Sequence, residues 1–189
     1  MAALHPPVCD FGQPAIDFDL PDIHGQRRTL ADCRGPNGLL VMFICNHCPY
    51  VQAIIDRLLR DCRELSTLGV GSVAIMSNDV AVYPEDAPKN MHAWATALDF
   101  PFPYLYDESQ SVAKAYGAVC TPDFFGYNAA LTLQYRGRLD ASGRTPGASD
   151  ARRELFAAMA GIARSGSGPS EQIASIGCSI KWKTVCARN

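Results

Sequence analysis

Residues 39–54 read L-L-V-M-F-I-C-N-H-C-P-Y-V-Q-A-I. The first six residues are a continuous apolar run of strand length, the mark of a strand buried on both faces. From Pro49 to Leu68 the pattern turns helical, with Val51, Ile54, Ile55, Leu58, Leu59, Cys62 and Leu65 on one stripe. Pro49 suits a first helical turn, where its missing N–H costs nothing. Cys45 and Cys48 therefore fall at a strand-to-helix junction, with His47 between them. Unpaired N–H groups and the positive end of a helix dipole favour thiolate there. We expect Cys45 at the helix mouth to be the activated nucleophile, with its pKa lowered and His47 as a second positive neighbour. Cys48, one turn further in, is expected to be shielded and to resolve a mixed disulfide.

The rest of the chain extends this unit. Ala15–Leu20 alternates as a leading strand, Asp22–Gly25 reads as a turn and Arg27–Leu30 as its partner. Val70–Ser77 is a second buried strand, parallel to the first if a helix crosses between them. Helices follow over Asp86–Leu98 and Ser109–Tyr116, then strands over Phe124–Asn128 and Thr132–Tyr135, then a helix over Asp150–Ala163. Ser165–Pro169 (S-G-S-G-P) reads as a flexible break before a tail with Cys178 and Trp182, the latter its apolar anchor if the tail docks. We divide the chain into a domain over 1–164 and a tail over 165–189 that packs on or near it.

The chain has 189 residues, 48 % hydrophobic and 19 % charged, with net charge −2 from 17 basic and 19 acidic residues. That suits one domain with its own core. No basic field invites nucleic acid, and no apolar run is long enough to span a membrane. The opening M-A-A-L-H-P-P-V-C-D has neither a basic n-region nor an apolar h-region, so a cytoplasmic location is expected. In such a compartment the 8 cysteines would not form a structural disulfide framework. The Arg-containing stretches near 136 and 152 read as solvated faces. Cys62 reads as core, while Cys9, Cys33 and Cys186 have no visible partner. No Gly-rich phosphate loop or Ser/His/Asp arrangement is present.

The C-x-x-C after a core strand and the T-P of V-C-T-P-D-F-F before a hairpin resemble the thioredoxin superfamily. G-Q-P-A-I-D-F-D-L-P-D-I-H-G resembles its redoxin branch. Together with S-I-G-C-S-I-K-W-K, these motifs resemble a peroxiredoxin-like (AhpC/TSA-type) thioredoxin-family group, over roughly residues 10–183. The resemblance implies an α/β thioredoxin-like fold: a central mixed β-sheet flanked by helices, with an N-terminal β-hairpin extension and a C-terminal tail. It implies a cis Thr121–Pro122 peptide packed on the C-x-x-C. It also implies thiol–disulfide oxidoreductase activity on protein or small-molecule disulfides and thiols, with no cofactor and no metal. A histidine before the second cysteine is similar to the protein disulfide isomerase and DsbA types, which implies a more oxidising disulfide than thioredoxin's.

Peroxiredoxins carry P-x-x-x-[T/S]-x-x-C. Here those positions are Val41 and Cys45 before Cys48, or Gly38 and Met42 before Cys45, so the motif is missing. Thiol peroxidase activity with a resolving cysteine stays an alternative. So does a metal-binding or metallochaperone module using Cys45, His47, Cys48 and Cys120. Cys120 and Cys178 are candidate additional redox thiols. Homodimerisation is left open.

Overall fold

The computed structural model describes residues 3–6, 11–145, 147–148 and 151–184. Cys9, Asp150 and Cys186 lie outside them. A short strand β1 (Ala3–Leu4) is followed by the hairpin β2 (Asp19–Pro21) and β3 (Arg27–Thr29). The Asp22 carboxylate closes the turn by accepting the His24 and Gln26 N–H groups at 2.8 and 2.9 Å. Thr29 and Asp32 then form a reciprocal capping box that starts α1 (Leu30–Cys33).

Strand β4 (Gly38–Phe43) is fully buried along its length, as its unbroken apolar run requires. After it come α2 (Pro49–Gln52), α3 (Ile55–Thr67) and β5 (Val70–Met76). The single helix expected over 49–68 is thus two. The Ile54 N–H turns back to Val51 O at 3.1 Å, a tightened turn that interrupts the α-helical ladder. Helix α4 (Pro88–Ala97), strand β6 (Tyr104–Tyr106), helix α5 (Ser111–Tyr116) and strand β7 (Cys120–Thr121) lead to the hairpin β8 (Asp123–Asn128) and β9 (Leu133–Tyr135). Helix α6 (Glu154–Ser165) and strand β10 (Gly177–Ser179) complete the order.

The central sheet is mixed. β4 pairs antiparallel with β8, β8 antiparallel with β9, and β5 parallel with β6. β5 lies beside β4, tied by Ile44 N–H to Ile75 O at 3.1 Å. Alternate β4 residues feed two cores. Leu40, Met42 and Ile44 meet α3 and α6; Leu39, Val41 and Phe43 meet α5 and the N-terminal hairpin. Cys62 and Cys33 sit in these cores, and burial pushes their thiols up to about 12 and about 11. Among the described residues, no helix is long and apolar enough to cross a membrane.

The Arg136 stretch is not a solvated face. Its guanidinium is buried, 2.9 Å from the Asp123 carboxylate and 4.3 Å above the Phe125 ring. Burial lifts the Asp123 carboxyl to about 6 even with this partner. Arg136→Met would leave that carboxyl buried without its cation. We expect a loss of about 3–5 kcal/mol in urea unfolding.

The segment after α6 is anchored rather than free. Gln172 donates to Gln134 O at 2.9 Å and accepts from Arg136 N–H at 2.8 Å. β10 then pairs antiparallel with both β1 and β7. Trp182 is not the anchor, being 41 % exposed under Lys114; Cys178 and Ile180 are the buried apolar side chains of this segment.

Candidate active site

The end of β4 delivers Cys45, and the start of α2 delivers Cys48. Cys48 is the N-cap of α2, with Pro49 as the first helical residue. Against them stands the Thr121–Pro122 peptide, which is cis. The Thr121 hydroxyl lies 3.4 Å from Cys45 Sγ, and the Thr121 carbonyl 3.0 Å from Cys48 Sγ. The structure therefore brings together Cys45, His47, Cys48, Thr121 and Pro122. Both sulfurs are buried and reduced, at 1 % and 0 % exposure.

The electrostatics pull the two thiols in opposite directions. The Cys45 thiol donates to Cys48; that bond, burial and the Asp86 carboxylate hold Cys45 well above the ordinary thiol range. The same hydrogen bond draws Cys48 down to about 5 against the cost of burial. The Thr121 side chain and the Cys178 and Val51 N–H groups assist. The Thr121 carbonyl opposes this, since it accepts a proton only from Cys48 as a thiol. Cys45 is thus the more firmly protonated thiol of the two and Cys48 the more readily ionised. Cys48 also stands at the N-cap of α2 before Pro49, where the Val51 N–H adds a lesser contribution.

Sequence reasoning missed Asp86, the buried residue that shapes the loop between the cysteines. Its Oδ1 accepts the Asn46 and His47 N–H groups at 2.9 and 3.3 Å. Its Oδ2 lies 2.6 Å from His47 Nδ1 and accepts from Asn78 Nδ2 at 2.7 Å. The Asp86 hydrogen bond raises the His47 pKa, against burial. Burial works against the Asp86 carboxylate, but the bonds from His47 and Asn78 prevail and lower its pKa. His47 stacks on Tyr83 with ring centroids 5.2 Å apart, and its buried Nε2 has no hydrogen-bond partner among the described residues. The only sequence hint of Asp86 was an acidic pair in the turn Y-P-E-D-A-P.

Cys45 Sγ, His47 Nδ1 and an Asp86 oxygen lie within 4.8 Å of one another. A thiolate, an imidazole and a carboxylate would suit zinc, though a metal on Nδ1 would have to replace its bond to Asp86. This group differs from the set expected from sequence. Cys120 faces Pro122 O, 3.6 Å away, and burial raises its thiol pKa. Cys178 sits on β10 directly opposite Thr121 and is 3 % exposed.

The fold recurs in solved structures. An uncharacterized conserved protein from Geobacillus kaustophilus superposes with a TM-score of 0.92 at 42 % identity, covering 98 % of this chain and 99 % of that one. The thioredoxin domain of a thiol-disulfide oxidoreductase from Bacteroides vulgatus gives 0.57 at 14 % identity, over 68 % and 89 %. A peroxidoxin from Mycobacterium tuberculosis gives 0.57 at 16 % identity, over 82 % and 96 %. No curated protein matches. The fold is thioredoxin-like, and with a match over residues 11–142 the chain belongs to the AhpC/TSA family.

Proposed function

We propose that the protein is a thiol–disulfide oxidoreductase that cycles Cys45 and Cys48 between dithiol and disulfide. The observation that carries this reading is the buried pair Cys45 and Cys48, whose sulfurs lie 3.4 Å from the Thr121 hydroxyl and 3.0 Å from the Thr121 carbonyl. Family membership supports a thiol-based redox role. In this reading Cys45, on the side of His47, meets the substrate disulfide. As its sulfur attacks, its proton passes to Cys48 and the first product leaves as thiolate. Cys48 then returns the proton to that product and attacks Cys45 Sγ, releasing the second product as thiolate. Two electrons leave the pair and one disulfide is reduced. Its substrates are protein or small-molecule disulfides and thiols.

The burial of both sulfurs favours a second reading for small oxidants, in which hydrogen peroxide rather than a folded disulfide oxidises the same pair. Comparing oxidation rates with hydrogen peroxide and with a protein disulfide separates the two.

The first test is a redox titration in glutathione buffers with thiols mapped by mass spectrometry. Cys45 and Cys48 should convert together to one disulfide, at a potential above roughly −270 mV. Failure of that disulfide to form would overturn the reading.

A further inference from the structure

We propose that Cys178 is a third redox thiol and that it exchanges with the dithiol at Cys48; this rests on the oxidoreductase reading above. Cys48 shares its buried cluster with two other cysteines that approach from different elements. Cys45 approaches it from β4. Cys178 approaches from β10, where its backbone pairs with Thr121, the residue whose carbonyl is 3.0 Å from Cys48 Sγ. Cys178 is buried at 3 % exposure, and burial together with the neighbouring Cys48 raises its thiol pKa. All three sulfurs belong to one buried cluster.

The placement of β10 is built into the surrounding residues. A Cβ at Gly177 would stand 2.2 Å from Thr121 O, so glycine is what lets this strand lie so close to the cis turn. Beyond Cys178, Ile180 N–H donates to Val119 O at 3.0 Å and Lys181 N–H to Asn78 Oδ1 at 2.9 Å. Lys183 N–H donates to Gln110 Oε1 at 2.8 Å. Asn78 also donates to Asp86, so one side chain ties the tail to the carboxylate that holds His47. Cys120, adjacent to Thr121 on β7, donates instead to Pro122 O and does not take this role.

The step is an intramolecular exchange. Cys178 Sγ attacks Cys48 Sγ of the Cys45–Cys48 disulfide. The Cys48–Cys178 bond forms, the Cys45–Cys48 bond breaks, and the proton of Cys178 ends on Cys45. No electrons are gained or lost. Cys45 is thereby freed for a second substrate while the oxidising equivalents rest beneath the tail.

The test oxidises the full-length Cys45→Ser and Cys45→Ala variants with glutathione disulfide and, separately, with hydrogen peroxide. Remaining thiols are alkylated and mapped by mass spectrometry. We expect Cys48 and Cys178 to be lost together from the alkylated set, joined as one disulfide, and this disulfide to vanish when Cys178→Ser is added. If neither variant forms it, whether glutathione stays on Cys48 or both thiols stay reduced, the inference is overturned. Wild type in the same buffers reports separately. If it lacks a Cys45–Cys48 disulfide, the oxidoreductase reading fails; if it forms that disulfide while the variants form none, only the role of Cys178 falls.

Discussion

Asp86→Ala is expected to destabilise the protein by about 3 kcal/mol or more and to lower the His47 pKa. The carboxylate is fully buried and serves four donors: the Asn46 and His47 N–H groups, His47 Nδ1 and Asn78 Nδ2. Each buried donor left without an acceptor costs about 1–3 kcal/mol, and breaking a buried ion pair costs about 3–5 kcal/mol. These overlap here, because an unpaired imidazole sheds its proton instead of staying charged. The signs give the pH signature. The His47 pKa is raised in the folded protein, so its contribution is full below about 6.5 and lost as pH rises through the folded value. The Asp86 pKa is lowered, so its contribution is full above about 3.9 and lost as pH falls through the folded value. The pair therefore stabilises most in mildly acidic solution. Urea unfolding of wild type and Asp86→Ala against pH should show the largest gap there. Asp86→Asn keeps one acceptor oxygen and should lose less. An Asp86→Ala protein as stable as wild type, with the His47 titration unmoved, would refute the network.

The contrast between Cys48 and Asp86 shows which parts of this site were legible. The strand, the helix start and the T-P turn are written in local pattern, because a doubly buried strand must be apolar throughout and a proline suits few helical positions. The cap position of Cys48 was available too, since Pro49 suits the first helical position. Asp86 was different. It lies in a turn 39 residues beyond His47, and only the packing of that turn under the C-N-H-C loop makes it a ligand of the loop. Arg136 was misread for a similar reason: an isolated arginine looks solvated until Asp123 is found in the core beside it. Cys178 was visible as a thiol, but its partner depends on strand register, which Gly177 permits and no local pattern announces.

The reduction potential of the Cys45–Cys48 couple is expected to fall with pH by about 30 mV per unit between pH about 5 and about 8.5, half the slope of an ordinary dithiol. Two ordinary thiols take up two protons with two electrons, giving about 60 mV per unit. With Cys45 held protonated and Cys48 drawn down, this pair is expected to take up one. The same count governs stability. The Cys48 pKa is depressed in the folded protein, so its contribution is full above about 8.5 and lost as pH falls through about 5. The Cys45 pKa is raised, so its contribution is full below about 8.5 and lost above it as the unfolded thiol ionises. The reduced protein should therefore gain stability over the oxidised one as pH rises from about 5, reaching its greatest advantage near pH 8.5. His47 complicates only part of the range. The Cys48 thiolate raises its pKa, so oxidation lowers it, and reduction carries one extra proton between the two His47 values. His47→Gln removes that segment and should leave the halved slope throughout. Cys45→Ala supplies the control, since Cys48 then loses its main donor and its thiolate absorbance should appear at higher pH. A slope near 60 mV per unit across the whole range in His47→Gln would mean that both sulfurs are protonated in the reduced protein, and that Cys48 is not drawn down.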